Sequence, residues 1–525
     1  MKKNGGFIRA SVRVRDRGSI TGQGKRFERK DRMNSAGSRS LRWKSHLYVV
    51  LVLSFVAPSY SQGLIREDPQ ASAQVRQEEG DEKSAARHQH PAPPPDRAAG
   101  AQASEHDHSK MDKMSMPEME MPELNPSGMF LMEQGSGTSV NPGSSPMHMK
   151  MINARSWNLM FHGSAFIGDI QQSGPRGGDK LFSSNWFMGM AHRQVGRGSF
   201  MVRAMLSLEP ATVTERRYPL LFQTGETAFG HAVVDGQHPH DLFMELSVQY
   251  ARHLGEKTLV DFYFAPVGDP ALGPVAYPHR VSAAELPQAT LSHHLQDSSH
   301  IVNEVLTAGL KVGVVRIEGS GFHGREPNEN RWNIDHGAID SWSTRLTLTP
   351  ASNWSAQVSV GRLKHPEELE PGDIVRSTAS VTYNRPLATG HWATSVIWGR
   401  NHKVAERRNI NSYLVESVVQ FRNKNYLTGR IELVDKDELF DNQPEVKEFL
   451  ARTVGSVFRI QAYTIGYTRD IKEIAGIKIG LGGNFSTYGV PTAIKPFYDN
   501  HPVGFMMYLR LRLKGDDHLH YHHGP

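Results

Sequence analysis

The chain has 525 residues with 48 glycines, 30 prolines and no cysteine, which excludes thiolate metal sites, disulfide frameworks and cysteine nucleophiles. Its net charge of +6 is unevenly placed: residues 1–44 hold fourteen Lys or Arg against three Asp or Glu, whereas from Gln62 onward there are 46 against 51. The basic balance belongs to the leader, and net charge gives no support to a nucleic-acid partner.

The leader ends in SHLYVVLVLSFVAPSYSQG, where the apolar run Leu47 to Ala57 covers about eleven residues against the roughly 20 of a membrane-crossing helix. Arg39, Arg42 and Lys44 precede it and Ser59 and Ser61 follow, so residues 1–61 read as a secretory signal peptide cut after Ser61. The basic stretch is long for a signal, and Met33 offers a start of more usual length. A single membrane anchor with a soluble exterior is the alternative. No later apolar run is long enough for a membrane helix.

Residues 62–155 contain HQHPAPPPDRAAG and GSGTSVNPGSSPMHMKM, too polar and Pro/Gly-rich to offset their ordering entropy, and are expected to form a disordered periplasmic segment. Within it, EHDHSKMDKMSMPEMEMPEL places five methionines in eleven residues, and Pro117 and Pro122 bar a continuous helix. Thioethers suit Cu(I) and Ag(I), while imidazoles suit Cu(II), Zn(II) and Ni(II). The candidate metal ligands here are His88, His90, His106, His108, Met111, Met114, Met116, Met119 and Met121, then Met147, His148, Met149 and Met151. A compositionally biased linker is the competing reading.

From Trp157 onward the apolar pattern has period two. In SWSTRLTLT, Trp342, Thr344, Leu346 and Leu348 alternate with Ser343, Arg345, Thr347 and Thr349. The last strand puts Phe505, Met507, Leu509, Leu511 and Leu513 on one face and Arg510 and Arg512 on the other. Short links such as QVGRG, LGEK, TPASN and RNKN alternate with long ones near 209–241, 265–301, 321–341, 435–454 and 486–502. Residues 156–514 are therefore expected to form an all-β transmembrane antiparallel barrel of about sixteen strands in outer-membrane lipid. Both termini fall on the short-turn, periplasmic side, and residues 515–525 form a His-rich tail. Arg203, Glu245, Asp261, Arg316, Glu318, Arg345, Arg376, Arg430, Glu432, Arg459, Arg510 and Arg512 are expected to face the lumen, because charge in lipid is costly.

The strand phase also turns Met160, His162, Met201 and Met205 inward, either as a thioether track or as packing under a folded loop. In the long links, GHAVVDGQHPHDL offers His238, His240 and Asp241 as metal ligands, since His-x-His on an extended strand shares one face. Hydrogen bonding among loops folded into the mouth is the alternative. HHLQDSSH brings Ser, His and Asp together, but no nucleophile-elbow or HExxH pattern is present, and the chain is expected not to be an enzyme.

A signal peptide, a Met/His-rich segment containing HDHSKMDKMSM and a following barrel resemble the copper resistance protein B family of the outer membrane. The resemblance covers this architecture and the motif at 105–121; blocks such as RYPLLFQTGE and APVGDPALGP lie outside it. It implies copper tolerance by binding or export across the envelope. The leading expectation is thus a barrel that binds or exports copper or silver, with no resident cofactor, beside periplasmic copper-handling proteins. The runner-up is a general porin for polar or charged solutes, with the Met-rich segment as a spacer. A hydrolase within the lumen stands third.

Overall fold

The structure is a computed structural model that describes residues 125–369 and 372–515. The signal peptide, the tract ligands from His88 to Met121 and the tail beyond Gly515 lie outside the described residues.

A helix at Pro126–Met132 comes first, then β1 (Gln134–Ser136), β2 (Ser139–Val140) and β3 (Met149–Ala154). The next strands are β4 (Trp157–Gln172), β5 (Asp179–Val195), β6 (Gly198–Leu206), β7 (Tyr218–Ala228), β8 (His231–Gln237), β9 (Phe243–His253) and β10 (Thr258–Gly268). After a long link come β11 (Val302–Val312), β12 (Val315–His323), β13 (Ser341–Leu348), β14 (Trp354–Leu363), β15 (Ile374–Leu387) and β16 (Gly390–Lys403). The chain finishes with β17 (Arg408–Phe421), β18 (Asn425–Lys436), β19 (Phe458–Ile474), β20 (Ile477–Gly489) and β21 (Val503–Leu513).

Leaving aside the hairpins β1–β2 and β7–β8, the strands close into one antiparallel barrel. The seam has a two-part edge. β21 pairs with β4 from Gly504↔Gln172 to Arg512↔Ser164, and β3 takes the remainder of that edge, from Met149↔His162 to Ala154↔Trp157. Sixteen strands thus make the wall, and β3 completes it. β4 begins and β21 ends on the side of the tight turns. Two of those turns start at Gly196 and Gly313, both at φ 59°, the left-handed backbone that primed hairpin turns require.

The outer face is apolar: Leu181 is 69% exposed, Phe262 61% and Ile465 59%. In water such a band would be a large hydrophobic patch; around a closed barrel it is the surface a bilayer covers. The inward face is polar, and all but one of the charges expected in the lumen are buried there. Arg459 is the exception. Its side chain points outward from the loop end of β19, where Asp435 accepts from it at 2.8 and 3.0 Å. Arg459 is the second residue of β19, and an outward charge near a strand end costs far less than one at the bilayer midplane.

The lumen is filled. Nearly every residue of the 269–301 link is buried inside the wall, and the β7–β8 hairpin packs on it, with Gln223 Nε2 donating to Thr290 O at 3.1 Å. Residues 125–155 correct the expectation of disorder up to 155. They fold into the helix and the β1–β2 hairpin inside the barrel and into β3 in its wall, with Phe130, Leu131 and Met132 buried. Asn125 caps the helix by accepting from Gly128 N–H at 2.8 Å, and Pro126 begins it.

Candidate functional site

Two inserted segments plug the barrel, and each is held by charge. The tip of the β1–β2 hairpin enters a nest of wall arginines. Arg203 donates to Gly137 O at 2.6 Å, Arg316 to Thr138 O at 2.8 Å, and Arg345 to Thr138 Oγ1 at 2.8 Å. Gly137 is at φ 48°, and a Cβ there would lie 2.5 Å from Asp269 O, so only glycine fits the tip. The 269–301 link carries charges outward to the wall. Arg280 donates to Glu416 at 2.6 Å and to Asp297 at 2.9 Å, while Glu285 accepts from Arg510 and, at 2.8 Å, from Arg512. All of these side chains are almost wholly buried, a setting in which removal of one partner costs far more than the pair contributes.

Beside the hairpin, strand register gathers sulfur. In one cross-strand row Met149 faces His162, His162 faces Met188 and Met188 faces Met205. In the next, Met151 faces Met160 and Met160 faces Met190. In a third, His192 faces Met201. Directly opposed residues on one face have Cβ atoms about 4.5–5.5 Å apart, so each thioether can meet the next. Met132, Met149, Met160, Met188, Met190, Met201, Met205 and Met244 share one buried cluster, with Met147 and Met151 packed against it. His162 Nε2 lies 3.0 Å from Met188 Sδ, and both ring nitrogens of His192 are buried without a hydrogen bond.

A cavity of about 190 Å³ opens against this array, lined by Met129, Met132, Met147, His148, Met149 and His162 from the N-terminal side and by His279 and Glu285 from the inserted link. Burial holds His148 and His279 well below the usual imidazole range, with Arg512 adding to the effect at His148 and His162 at His279. Both rings are therefore neutral, the form that ligates metal. Of the sequence-predicted ligands, the structure thus brings Met147, His148, Met149 and Met151 to one place, beside methionines contributed by β4, β5 and β6.

His238, His240 and Asp241 do not converge. Residues 238–241 are not in a strand, so the shared-face expectation fails. His238 Nε2 lies 3.1 Å from Glu226, His240 Nδ1 lies 3.0 Å from Glu209, and Asp241 accepts from Arg331 at 3.2 Å. Register shifts in β7–β8, with Glu226 at φ 59°, aim Glu226 toward His238 and Arg331. Among the described residues, three ligand atoms of His, Asp or Glu meet instead at His294, Glu326 and Glu367. These come from three separate links, and no local spacing points to them.

The serines of HHLQDSSH do not face an imidazole. Ser298 Oγ accepts from Arg376 at 2.9 Å, Ser299 Oγ has no hydrogen bond, and His293 and His300 turn to the Asp297 carboxylate and carbonyl at 2.7 and 2.8 Å.

No family model and no curated protein matches the chain. Among solved structures, it superposes on the anion-selective porin of Comamonas acidovorans with a TM-score of 0.42 at 8% identity, over 68% of this chain and 100% of that one. Pseudomonas putida OprB gives 0.42 at 9% identity over 67% and 94%. Salmonella typhi OmpF in complex with daunomycin gives 0.41 at 9% over 69% and 100%. At such scores the likeness adds nothing to the strand order, on which the fold rests.

Proposed function

We propose that this chain is a bacterial outer-membrane channel protein whose lumen takes soft monovalent cations, Cu(I) or Ag(I). The carrying observation is the set of adjoining Met/His rows across β3, β4, β5 and β6, bordered by a cavity. Thioether and neutral imidazole are the donors a soft ion prefers, and neighbouring rows allow one ligand to be exchanged for the next without passing through water. The tract from His106 to Met121 is read as a periplasmic collector, His88 and His90 extending it, with periplasmic copper-handling proteins as the expected partners. That assignment places both termini in the periplasm, where the tight turns of such barrels lie.

A competing role, packing alone, predicts that sulfur is dispensable. Full-length protein in detergent should bind Cu(I) in a competition titration, and Met188→Leu with Met160→Leu should weaken the lumenal share by tenfold or more while the barrel stays heat-modifiable. Unchanged binding would leave the methionines as filler. A second reading, a channel for polar or charged solutes, is favoured by the buried Arg and Glu side chains along the wall. It predicts salt conductance that the same substitutions leave unaltered.

A further inference from the structure

On the side of the long links, outside the methionine rows and the lining of their cavity, lies an imidazole with no hydrogen bond. His294 sits in the short helix His293–Gln296 of the inserted link, its side chain 6% exposed, and neither ring nitrogen has a hydrogen-bond partner. Its Nδ1 is 3.6 Å from Glu326 Oε1 and 3.6 Å from Glu367 Oε1, carboxylates that are themselves 7% and 10% exposed. Glu326 Oε2 is likewise buried without a partner. One ligand atom from each of the three lies within 4.8 Å of the others.

That spacing is too long for a hydrogen bond. It suits a shared ion: ligands about 2.1 Å from a tetrahedral centre stand about 3.4 Å apart. The backbone is fixed by other means, since Arg376 donates to His294 O at 2.7 Å and Asn401 at 3.1 Å. The ring is therefore not needed to hold the helix. Gly225, at φ 118°, makes room for it, because a Cβ there would come within 2.4 Å of the imidazole. His238 stands edge-on with its ring centroid 5.8 Å away.

We propose that His294, Glu326 and Glu367 form a divalent-cation site that latches the inserted 269–301 link to the two links that carry Glu326 (324–340) and Glu367 (364–369). One imidazole and two carboxylates with no sulfur select a borderline first-row divalent ion, such as Zn(II) or Mn(II), over the soft monovalent ions of the methionine rows. Two carboxylates balance its charge.

The test uses full-length protein in detergent, stripped with chelator and then titrated with Zn(II). The chain carries further histidines at 88–108 and 518–523 that could take up zinc, so the readout is the temperature at which the folded band on a gel converts to the unfolded one. A site inside the folded barrel raises that temperature by mass action. We expect Zn(II) to raise it by several degrees in the native chain and to leave Glu326→Gln/Glu367→Gln unmoved. If the double variant does not fold, Glu367→Gln alone, at the more exposed carboxylate, makes the comparison. No zinc-dependent rise in the native chain, or an equal rise in the variants, would overturn the proposal and leave the three groups as a proton-sharing triad. Either result leaves the Cu(I) titration of the methionine rows independent.

Discussion

Glu285 is the side chain through which the inserted link grips the far wall, and Glu285→Gln isolates that grip. In the native chain its carboxylate accepts from both Arg510 and Arg512, while its backbone carbonyl accepts from Tyr508 at 2.8 Å. The substitution keeps the bulk and one acceptor oxygen but removes the negative charge. Arg510 then retains Asp470, whereas Arg512 retains the hydroxyl of Tyr426 at 2.8 Å. Breaking one side of a buried ion pair costs about 3–5 kcal/mol. At about 1.4 kcal/mol per tenfold, that shifts the balance between inserted and released link by roughly two to three and a half powers of ten. In planar bilayers the native protein is expected to be nearly silent, and Glu285→Gln to show frequent opening events. Glu448→Gln, which breaks an exposed pair with Arg452 in the helix Pro444–Thr453, is the matched control and is expected to change nothing, as surface pairs contribute little. A heat-modifiable Glu285→Gln barrel as silent as the native one would refute the argument that this carboxylate holds the plug.

Burial raises the Asp269 carboxyl from 3.8 to about 8, although Ser136 donates to it at 2.8 Å. The folded state therefore binds the extra proton, so its contribution is complete below about 3.8 and is lost as the pH rises through about 8. Asp269→Asn should flatten the alkaline side of the stability profile, followed by gel-shift temperature; an unchanged profile would show that Asp269 is ionised throughout. Ile465→Arg puts a charge on the lipid face at a residue 59% exposed. It is expected to cost about 2–4 kcal/mol if it lies near the bilayer midplane, seen as a smaller heat-modifiable fraction on refolding into vesicles. The same fraction as the native chain would place that face outside the hydrocarbon.

The wall was legible in the sequence because its causes are local. Apolar and polar residues alternate with period two, and the stretches read that way at SWSTRLTLT and at the end of the chain are the strands Ser341–Leu348 and Val503–Leu513. The inward phase of Met160, His162, Met201 and Met205 follows from the same rule. What fills the wall was not legible, because its causes are distant in sequence. GSGTSVNPGSSP has the composition of a linker, yet its tip is ordered by Arg203, Arg316 and Arg345 on three separate strands. The 269–301 link has no periodicity, and its burial depends on Glu416, Arg510 and Arg512, far away along the chain. His-x-His spacing misled at His238 and His240 because the rule holds for strands, and the segment is not one.

The central claim, that lumenal thioethers hold a soft ion, is tested most directly by copper X-ray absorption. The sample is Cu(I)-loaded full-length protein in which Met111, Met114, Met116, Met119 and Met121 are replaced by leucine, so the tract supplies no sulfur. The account predicts retained copper with mixed sulfur and nitrogen scatterers, and less copper with a weaker sulfur shell when Met160 and Met188 are also made leucine. A sample that retains no copper, or copper coordinated by oxygen and nitrogen alone, would contradict it.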